Sequence, residues 1–274
     1  MGQARSAERK PALSPTKIAT FLQCAVKYRY IYIDKIGRYY LRARAGFSFG
    51  STLHGVLQGF HAGGERQTAE EMAEELERKW IAAGYESPRE EAEYRAAGAE
   101  IVTAYRAAQE GRAERGVAAI ATERTISLDL ARFKLTGRVD RIDRHADGSV
   151  EVVDYKSGRL DVTPEEVRAS LAMCCYQLIL ARQYPGSAVS GTIYCLRSGR
   201  SATASLSREE LDEFERDIVA IGSRILDMDF QGVAPVPVPA CEACDFLSRC
   251  RQYWRSAPPG DGWIEASPHS DEGL

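Results

Sequence analysis

The sequence contains no apolar run that approaches the roughly 20 residues of a membrane-spanning helix. Its first residues, MGQARSAERKPALS, also lack the apolar stretch that defines a signal peptide. The two absences argue against an integral membrane protein and against a secreted one. We therefore predict a cytoplasmic protein with no membrane partner.

A net positive charge is missing as well, because the chain has 36 Lys and Arg residues against 39 Asp and Glu residues. No global positive field indicates a nucleic-acid partner, so such binding must depend on a local patch. Residues 27–46, KYRYIYIDKIGRYYLRARAG, interleave cations with tyrosine rings, as grooves for single-stranded nucleic acid do. We predict DNA contacts from Arg29, Arg42 and Arg44. The alternative is an amphipathic segment whose tyrosines are half-buried in the core.

The low apolar content typical of disordered chains is also missing. Apolar residues make up 44% of the sequence, which is enough to form a hydrophobic core. Apolar residues first recur with helical spacing, and near Ile120 the period changes to the alternation of strands. The pattern predicts helices at about 15–31, 50–60, 70–83 and 88–111, strands at 121–130, 133–144 and 150–156, a helix at 163–184, strands at 189–199 and 201–206, and a helix at 207–230. The fold class is therefore α/β, with a mixed central sheet flanked by helices.

Two carboxylates and a lysine are predicted to meet on a strand hairpin. Asp154 and Lys156 share one face of a strand because side chains alternate, and the turn HADGS folds the preceding strand back so that Asp140 can approach them. Oxygen ligands of this kind hold Mg²⁺ or Mn²⁺ and leave positions open for water and phosphate. The lysine can orient the attacking water. The alternative is a pair of solvated strand carboxylates that form ion pairs with Arg141 or Lys156.

The segment GRVDRIDRHADGSVEVVDYKSGR resembles the core of the PD-(D/E)xK nuclease superfamily, in its RecB-like branch. LSPTKIATFLQCAVKYRYIY resembles the amino-terminal segment of that branch, and GSTLHGVLQGFH resembles its first motif. The helix that follows YKSG resembles its Gln/Tyr-bearing helix. The likeness extends from residue 12 to about residue 254 and implies a restriction-endonuclease-like core.

The resemblance implies a role for each residue of the predicted site. His54 would be a further metal ligand, Asp140 and Asp154 the bridging carboxylates, and Lys156 the catalytic lysine, while the backbone carbonyl of Tyr155 would complete the site. The implied activity is Mg²⁺- or Mn²⁺-dependent hydrolysis of DNA, exonucleolytic on single-stranded ends, in DNA repair, recombination or CRISPR adaptation. A helicase or an integrase would be the partner protein. The rival hypothesis is a non-catalytic DNA-binding or scaffold subunit that keeps the fold.

Three further positions follow from the resemblance. Glu123 lies where the family often has an acidic residue at the start of its first strand, although a surface salt bridge is an equal alternative. Tyr176 aligns with the family's helix Tyr and would contact DNA, although a core position is an equal alternative, and this alignment leaves Ala172 at the usual Gln position. Gln177 could replace that Gln if the register is shifted.

The seven cysteines are not expected to form disulfides in a reducing cytoplasm. Three lie in apolar helix or strand patterns and are expected to be small core residues: Cys174, Cys175 and Cys195. The other four are Cys241, Cys244 and Cys250, spaced C-x2-C-x5-C, and the distant Cys24. Four thiolates suit a metal site or a cluster, and zinc is the generic choice. One early and three late cysteines resemble the iron-sulfur staple of AddB-like and CRISPR-associated adaptation nucleases, which implies a structural [4Fe-4S] cluster.

The domain organisation predicted from these patterns is a single nuclease domain at residues 13–256. It would contain a helical insertion at 61–115 and a cysteine cluster segment at 240–254. Residues 1–12 and 257–274 are predicted to be disordered tails, because the last segment is rich in Pro, Gly, Ser and Asp.

Overall fold

The computed structural model describes residues 10–256. The predicted tails therefore lie outside the described residues, except for positions 10–12. Ala12 is part of a two-residue strand, so the boundary predicted at residue 12 falls within a sheet element.

The described chain forms nine α-helices and six strands, which define the labels used below. Two compact units contain them: one consists of residues 10–24 and Arg42–Met228, and the other of Ala25–Leu41 and 229–256. In chain order the elements are β1 (Ala12–Leu13), α1 (Pro15–Gln23), α2 (Ala25–Tyr28), α3 (Ala45–Ala62), α4 (Ala69–Arg78), α5 (Pro88–Ala108), β2 (Ala118–Asp129), β3 (Lys134–Arg144), β4 (Val150–Lys156), α6 (Pro164–Ala169), α7 (Leu171–Gln183), β5 (Val189–Cys195), β6 (Arg200–Ala204), α8 (Arg208–Asp227) and α9 (Leu247–Ser256).

The six strands form one mixed sheet, which confirms the predicted fold class. β2, β3 and β4 are antiparallel neighbours, β4 and β5 are parallel, and β6 is antiparallel to β5. β2 occupies one edge of β3 along its length, so β1 and β4 share the other edge. Because β4 pairs with β3 only from Arg141 to Arg144, the two strands separate beyond Arg141. The candidate site lies where they separate.

The predicted turn between β3 and β4 is present. His145 and Ser149 close it through a backbone hydrogen bond of 3.0 Å, and Oδ1 of Asp147 accepts from the backbone N–H of Ser149. Gly148 has a φ of +83°, which a residue without a Cβ adopts easily. This turn sets the register that returns β4 alongside β3.

Helices cover both faces of the sheet at β4 and β5. Val153 and Tyr155 of β4 belong to a buried cluster with apolar residues of α3, α4 and α5. The opposite face of these strands carries α7, whose Met173 lies against Gly191 of β5. α4 and α5 occupy the range predicted for the helical insertion, and both begin at capping residues, Thr68 and Ser87.

Two helices predicted as continuous are each broken, and these predictions were wrong. The helix predicted at 163–184 is interrupted by Ser170, which has an extended backbone and caps α7 through its hydroxyl. The helix predicted at 15–31 ends at Gln23 because Cys24 is extended, with φ −166° and ψ 113°. Serine competes with helix hydrogen bonding through its side chain, which explains the first break. Conversely, α3 begins at Ala45, five residues before its predicted start.

The second unit consists of short helical segments packed around aromatic rings. Tyr28 stacks on Phe230 with ring centroids 5.2 Å apart, and Tyr30 and Tyr40 each lie 5.3 Å from the buried ring of Phe246. The guanidinium of Arg249 covers the Tyr30 ring at 5.2 Å. The tyrosines of the predicted DNA path therefore include two buried residues, Tyr28 and Tyr30, as the alternative interpretation of that segment requires.

Within residues 10–256, none of the helices has the length and apolarity needed to cross a membrane.

Candidate active site

Strand register brings three acidic residues together. Thr122 and Arg124 of β2 pair with Arg141 and Val139 of β3, so Glu123 lies opposite Asp140. On the other edge of β3, Arg141 pairs with Val153, and one further step in the same register places Asp140 beside Asp154. Asp140 thus lies between carboxylates from both neighbouring strands, each of them largely buried.

Glu123 has an unusual backbone. Its φ of +47° lies in the left-handed region, which a residue with a Cβ adopts at an energetic cost. The side chain is only 11% exposed and forms an ion pair of 2.5 Å with Arg138. His54 and Arg138 lower the pKa of Glu123, although burial raises it. A strained backbone that directs a charged carboxylate inward is a feature of functional sites rather than of solvated strands.

His54 of α3 contacts both strands. Its Nδ1 lies 3.1 Å from Oδ1 of Asp140 and 3.8 Å from Oε1 of Glu123, and its Nε2 lies 3.2 Å from the carbonyl oxygen of Tyr155. One ligand atom each from His54, Glu123 and Asp140 fall within 4.8 Å of one another. The other Asp140 oxygen, Oδ2, accepts the backbone N–H of Tyr155 at 2.7 Å, which fixes the carboxylate against β4.

The imidazole of His54 is strongly influenced by these carboxylates. Burial alone would lower its pKa, but the hydrogen bonds to Asp140 and Glu123 and the charges of Asp140 and Asp154 raise the pKa of His54 to about 10. The carboxylates around His54 therefore favour the protonated form of the imidazole.

Asp154 and Lys156 form the second part of the site, on the same face of β4 as predicted. Nζ of Lys156 lies 2.6 Å from Oδ2 of Asp154, and the lysine side chain is 44% exposed against 12% for the aspartate. Burial raises the pKa of Asp154; Lys156 opposes this shift, and the charge of Asp140 adds to it. An ionised Asp154 is thus costly unless a cation compensates it.

The residues fit a divalent cation by donor chemistry. Carboxylate oxygens from Glu123, Asp140 and Asp154 are hard ligands of the type that Mg²⁺ and Mn²⁺ prefer, and the imidazole of His54 suits Mn²⁺. Oδ2 of Asp154 is buried and lies 2.6 Å from the Lys156 ammonium. A metal ion at this oxygen would therefore share it with the lysine.

Comparisons with known proteins identify the family of this chain. Residues 12–251 match the family described as the PD-(D/E)XK nuclease superfamily. The chain belongs to this superfamily. No curated protein compared with the chain matches it.

Two solved structures resemble this chain. The first is the crystal structure of "Putative exonuclease" from Eubacterium rectale, with 15% sequence identity, 96% of this chain and 97% of that chain covered, and a TM-score of 0.54. The second is the crystal structure of SSO0001, with 12% identity, 84% and 98% of the two chains covered, and a TM-score of 0.33. At these identities the first likeness supports the fold alone, and the second carries no argument.

Behind the site lies a buried polar network that the sequence analysis missed. Nη1 of Arg141 donates to the hydroxyls of Tyr105, at 2.5 Å, and Tyr155, at 2.6 Å, and it contacts Nε2 of His61 at 2.8 Å. Both oxygens of Asp143 are ion-paired, one with Arg141 at 3.0 Å and one with Arg112 at 2.8 Å. The only sequence signal was the second Arg and the second Asp of RVDRID, Arg141 and Asp143. Strand alternation places both on the other face of the sheet from Val152 and Asp154.

Tyr176 and Gln177 lie in α7, the helix that resembles the Gln/Tyr-bearing helix of the nucleases, and both make contacts inside the protein. The hydroxyl of Tyr176 donates to the carbonyl of Arg138 at 3.1 Å, and its ring fills the space where Gly137 lacks a Cβ. Gln177 is 1% exposed, and its amide oxygen accepts the backbone N–H of Leu206. Because a buried side chain cannot reach a nucleic acid that stays in solvent, this burial argues against the DNA contacts predicted for both residues. Ala172, at the usual Gln position, is partly buried.

The three arginines predicted to bind DNA have different surroundings. Arg29, in the second unit, pairs with Asp34 at 3.0 Å and also donates to Gln231. Arg42 and Arg44 are exposed in the first unit, and Arg44 lines a groove together with His54 and Lys156. Only Arg44 is thus placed beside the candidate active site.

The four cysteines of the predicted cluster belong to different units. Cys24 follows α1 in the first unit, and its backbone N–H donates to the carbonyl of Thr20. In the second unit the backbone N–H of Cys244 donates to the carbonyl of Cys241 at 3.0 Å, and Cys250 is buried in α9. A common cluster at these four residues stays a prediction.

Proposed function

We propose that this chain is a divalent-metal-dependent deoxyribonuclease that hydrolyses phosphodiester bonds at the site around Asp140. The observation that carries the proposal is the group of His54, Glu123 and Asp140, whose ligand atoms lie within 4.8 Å of one another beside the Tyr155 carbonyl. The group combines imidazole nitrogen with carboxylate oxygens, a donor set that Mn²⁺ accepts, and its three members are partly buried.

The metal ligands in this proposal are Asp140, Asp154, His54 and the Tyr155 carbonyl, with Glu123 as an additional carboxylate. When bound, Mg²⁺ or Mn²⁺ supplies stabilisation of negative charge and lowers the pKa of water. His54 must lose its proton before its nitrogen can act as a ligand, so the carboxylates that hold the proton also define the cation position.

Lys156 is proposed as the catalytic lysine. Its ammonium is held by Asp154 at 2.6 Å, and its 44% exposure leaves hydrogen-bond donors directed towards solvent. These donors can orient a water molecule and stabilise the charge that develops on the phosphate oxygens. Asp154 therefore has two roles, as a ligand and as the group that positions the lysine.

The finer assignments extend the proposal beyond the site. We propose exonucleolytic action on single-stranded ends, in DNA repair, recombination or CRISPR adaptation, with a helicase or integrase as partner and a cytoplasmic location. A [4Fe-4S] cluster at Cys24, Cys241, Cys244 and Cys250 is proposed from the cysteine pattern, with Zn²⁺ as the alternative. These assignments depend on the resemblance to RecB-like nucleases.

The test is cleavage of 5′- and 3′-labelled single-stranded DNA by purified protein with Mg²⁺, Mn²⁺ or EDTA. We expect Asp154→Ala and Lys156→Ala each to lower the cleavage rate by about 100-fold or more, the loss typical for removal of an essential electrostatic group. Asp217→Ala, which removes an exposed carboxylate of α8, is the control and should cleave as wild type does.

Two results would contradict the mechanism. Wild-type cleavage by Asp154→Ala would show that the site around Asp140 is not the active site. If the wild-type protein retards DNA in a gel but leaves it uncut with either metal, a non-catalytic DNA-binding subunit becomes the better hypothesis.

A further inference from the structure

A groove of about 630 Å³ opens beside the candidate active site. One wall is the first half of α3, and the other is the loop after β4. His54 and Lys156 of the candidate site line one part of it, and Arg44 and Phe47 at the start of α3 also line it. The groove therefore adjoins the proposed site of hydrolysis.

Phe47 is exposed in this groove. Its residue surface is 72% exposed, the largest fraction of any large apolar residue in positions 10–256, whereas Phe49 and Phe60 of the same helix are buried. The ring consequently contributes little to the core. A single exposed ring needs no explanation by itself, but this one lies in a groove that also contains cationic side chains.

The charge of the groove favours a polyanion. Arg44, Lys156 and Arg159 line it, and its lining contains no Asp or Glu. Arg159 also forms an ion pair with Glu166, and Lys156 with Asp154, so neither cation is without a protein partner. An aromatic ring among cations is the arrangement that binds single strands, because cations contact phosphates and rings stack on bases.

The spacing along α3 fits a strand that reaches the active site. Phe47, Gly50, Ser51 and His54 follow one another at intervals of three, one and three residues, so they share one face of the helix. The seven residue steps from Phe47 to His54 correspond to about 10 Å along the axis. That length equals up to about three stacked nucleotides.

The absence of a side chain at Gly50 lets the two walls of the groove come close together. A Cβ at Gly50 would lie 2.9 Å from Oγ of Ser157, whereas a Cβ at Gly46 would meet nothing within 4 Å. The loop after β4 is held in place by Arg197, which donates to the carbonyl of Ser157 at 2.9 Å. This hydrogen bond restrains the wall that faces α3.

We propose that Phe47 is a substrate-binding residue that stacks on an unpaired base within about three nucleotides of the scissile phosphate, and that Arg44 contacts the adjoining backbone. The inference rests on the proposed nuclease function and adds a residue that selects unpaired strands. Bases in a duplex are already stacked on their neighbours, and extruding one requires unstacking and unpairing it. Phe47 therefore favours single-stranded ends over blunt duplex ends.

The experiment compares wild type, Phe47→Ala and Phe47→Trp in binding a fluorescent single-stranded DNA oligonucleotide, measured by anisotropy with EDTA present so that no cleavage occurs. Each of the first four nucleotides from the end is replaced in turn by an abasic unit. Ile81→Ala, which shortens an exposed apolar side chain outside the groove, is the control. Melting temperatures verify that each variant is folded.

We expect Phe47→Ala to weaken binding roughly 5- to 150-fold, the equivalent of about 1–3 kcal/mol for one stacked base. Phe47→Trp should retain the affinity, and blunt duplex binding should not change. One abasic position should weaken binding by wild type by a similar factor and have no further effect on Phe47→Ala, since the stacking partner is already gone. A merely structural role for Phe47 would not produce this position-specific loss of additivity.

Two outcomes would overturn the inference. If Phe47→Ala binds the intact strand as wild type does, or if every abasic penalty persists in full in Phe47→Ala, then Phe47 stacks on no base. In that case wild-type cleavage with metal would leave the proposed function standing. If the wild-type protein neither binds nor cleaves, the proposed function fails, and the stacking proposal fails with it.

Discussion

Replacement of Asp143 tests the buried network behind the site most directly. This aspartate is 0% exposed and its two oxygens are paired with two arginines, Arg112 and Arg141, whose side chains are 9% and 6% exposed. Asp143→Ala would leave two guanidinium groups buried next to a cavity. Removing one partner of a buried ion pair costs about 3–5 kcal/mol, because the remaining charge stays desolvated.

The expected loss is large enough to measure by two methods. For a chain of this size about 1 kcal/mol corresponds to roughly 2–4 °C, so the melting temperature should fall by roughly 6–20 °C in calorimetry. The urea midpoint should fall in parallel. Asp143→Asn, which keeps the shape and one acceptor oxygen, should lose less than Asp143→Ala.

The exposed Asp217→Ala serves again as the control, with an expected change within about 0.5 kcal/mol. A loss below about 1 kcal/mol in Asp143→Ala would refute the reasoning, since it would mean that water or rearranged side chains compensate the two arginines at almost no cost.

Two other predictions concern His61 and Cys24. Burial lowers the pKa of His61 to about 4, against about 6.5 in an unfolded chain, so the folded protein binds this proton less readily. As the pH falls from 6.5 to 4, His61 therefore becomes protonated in the unfolded state but stays neutral in the folded state. The free energy of unfolding should then fall by up to about 3 kcal/mol more in wild type than in His61→Gln. Urea titrations at several pH values would measure this difference, and identical pH profiles of the two proteins would contradict it. Cys24→Ala should lower iron content, visible absorbance and melting temperature together; an unchanged iron content would remove Cys24 from the proposed cluster, and a colourless anaerobic preparation with stoichiometric zinc would favour Zn²⁺.

The sheet and its hairpin could be predicted because their signals are local. Period-two alternation defined β3 and β4, so the common face of Asp154 and Lys156 followed from counting residues, and the HADGS turn predicted the return of β4 alongside β3. The helix breaks at Cys24 and Ser170 were missed because apolar spacing continues across both residues. Helical periodicity alone does not reveal a single extended residue.

The part of the site that could not be predicted depends on contacts distant in sequence. His54 and Asp140 are 86 residues apart, and no pattern in either segment specifies a 3.1 Å contact between them; only the family resemblance suggested it. The left-handed backbone of Glu123 is equally invisible, because β-strand propensity assigns that residue to regular strand. The burial of Gln177 was missed for the same reason: its partners, Leu206 and Gly191, come from later elements.

Tyr155 connects the candidate active site to the network around Asp143. Its N–H holds Asp140, its carbonyl contacts His54, and its hydroxyl accepts from Arg141. A shift of this one residue would therefore move two proposed ligands and its own carbonyl at the same time. Since Arg141 is in turn held by Asp143, the geometry of the proposed cation site depends on charges on the other face of the sheet. The helical insertion also contributes to the site, because the hydroxyl of Tyr105 in α5 forms a hydrogen bond of 2.6 Å with the Tyr155 hydroxyl. This bond restrains β4 on the face of the sheet opposite Asp154.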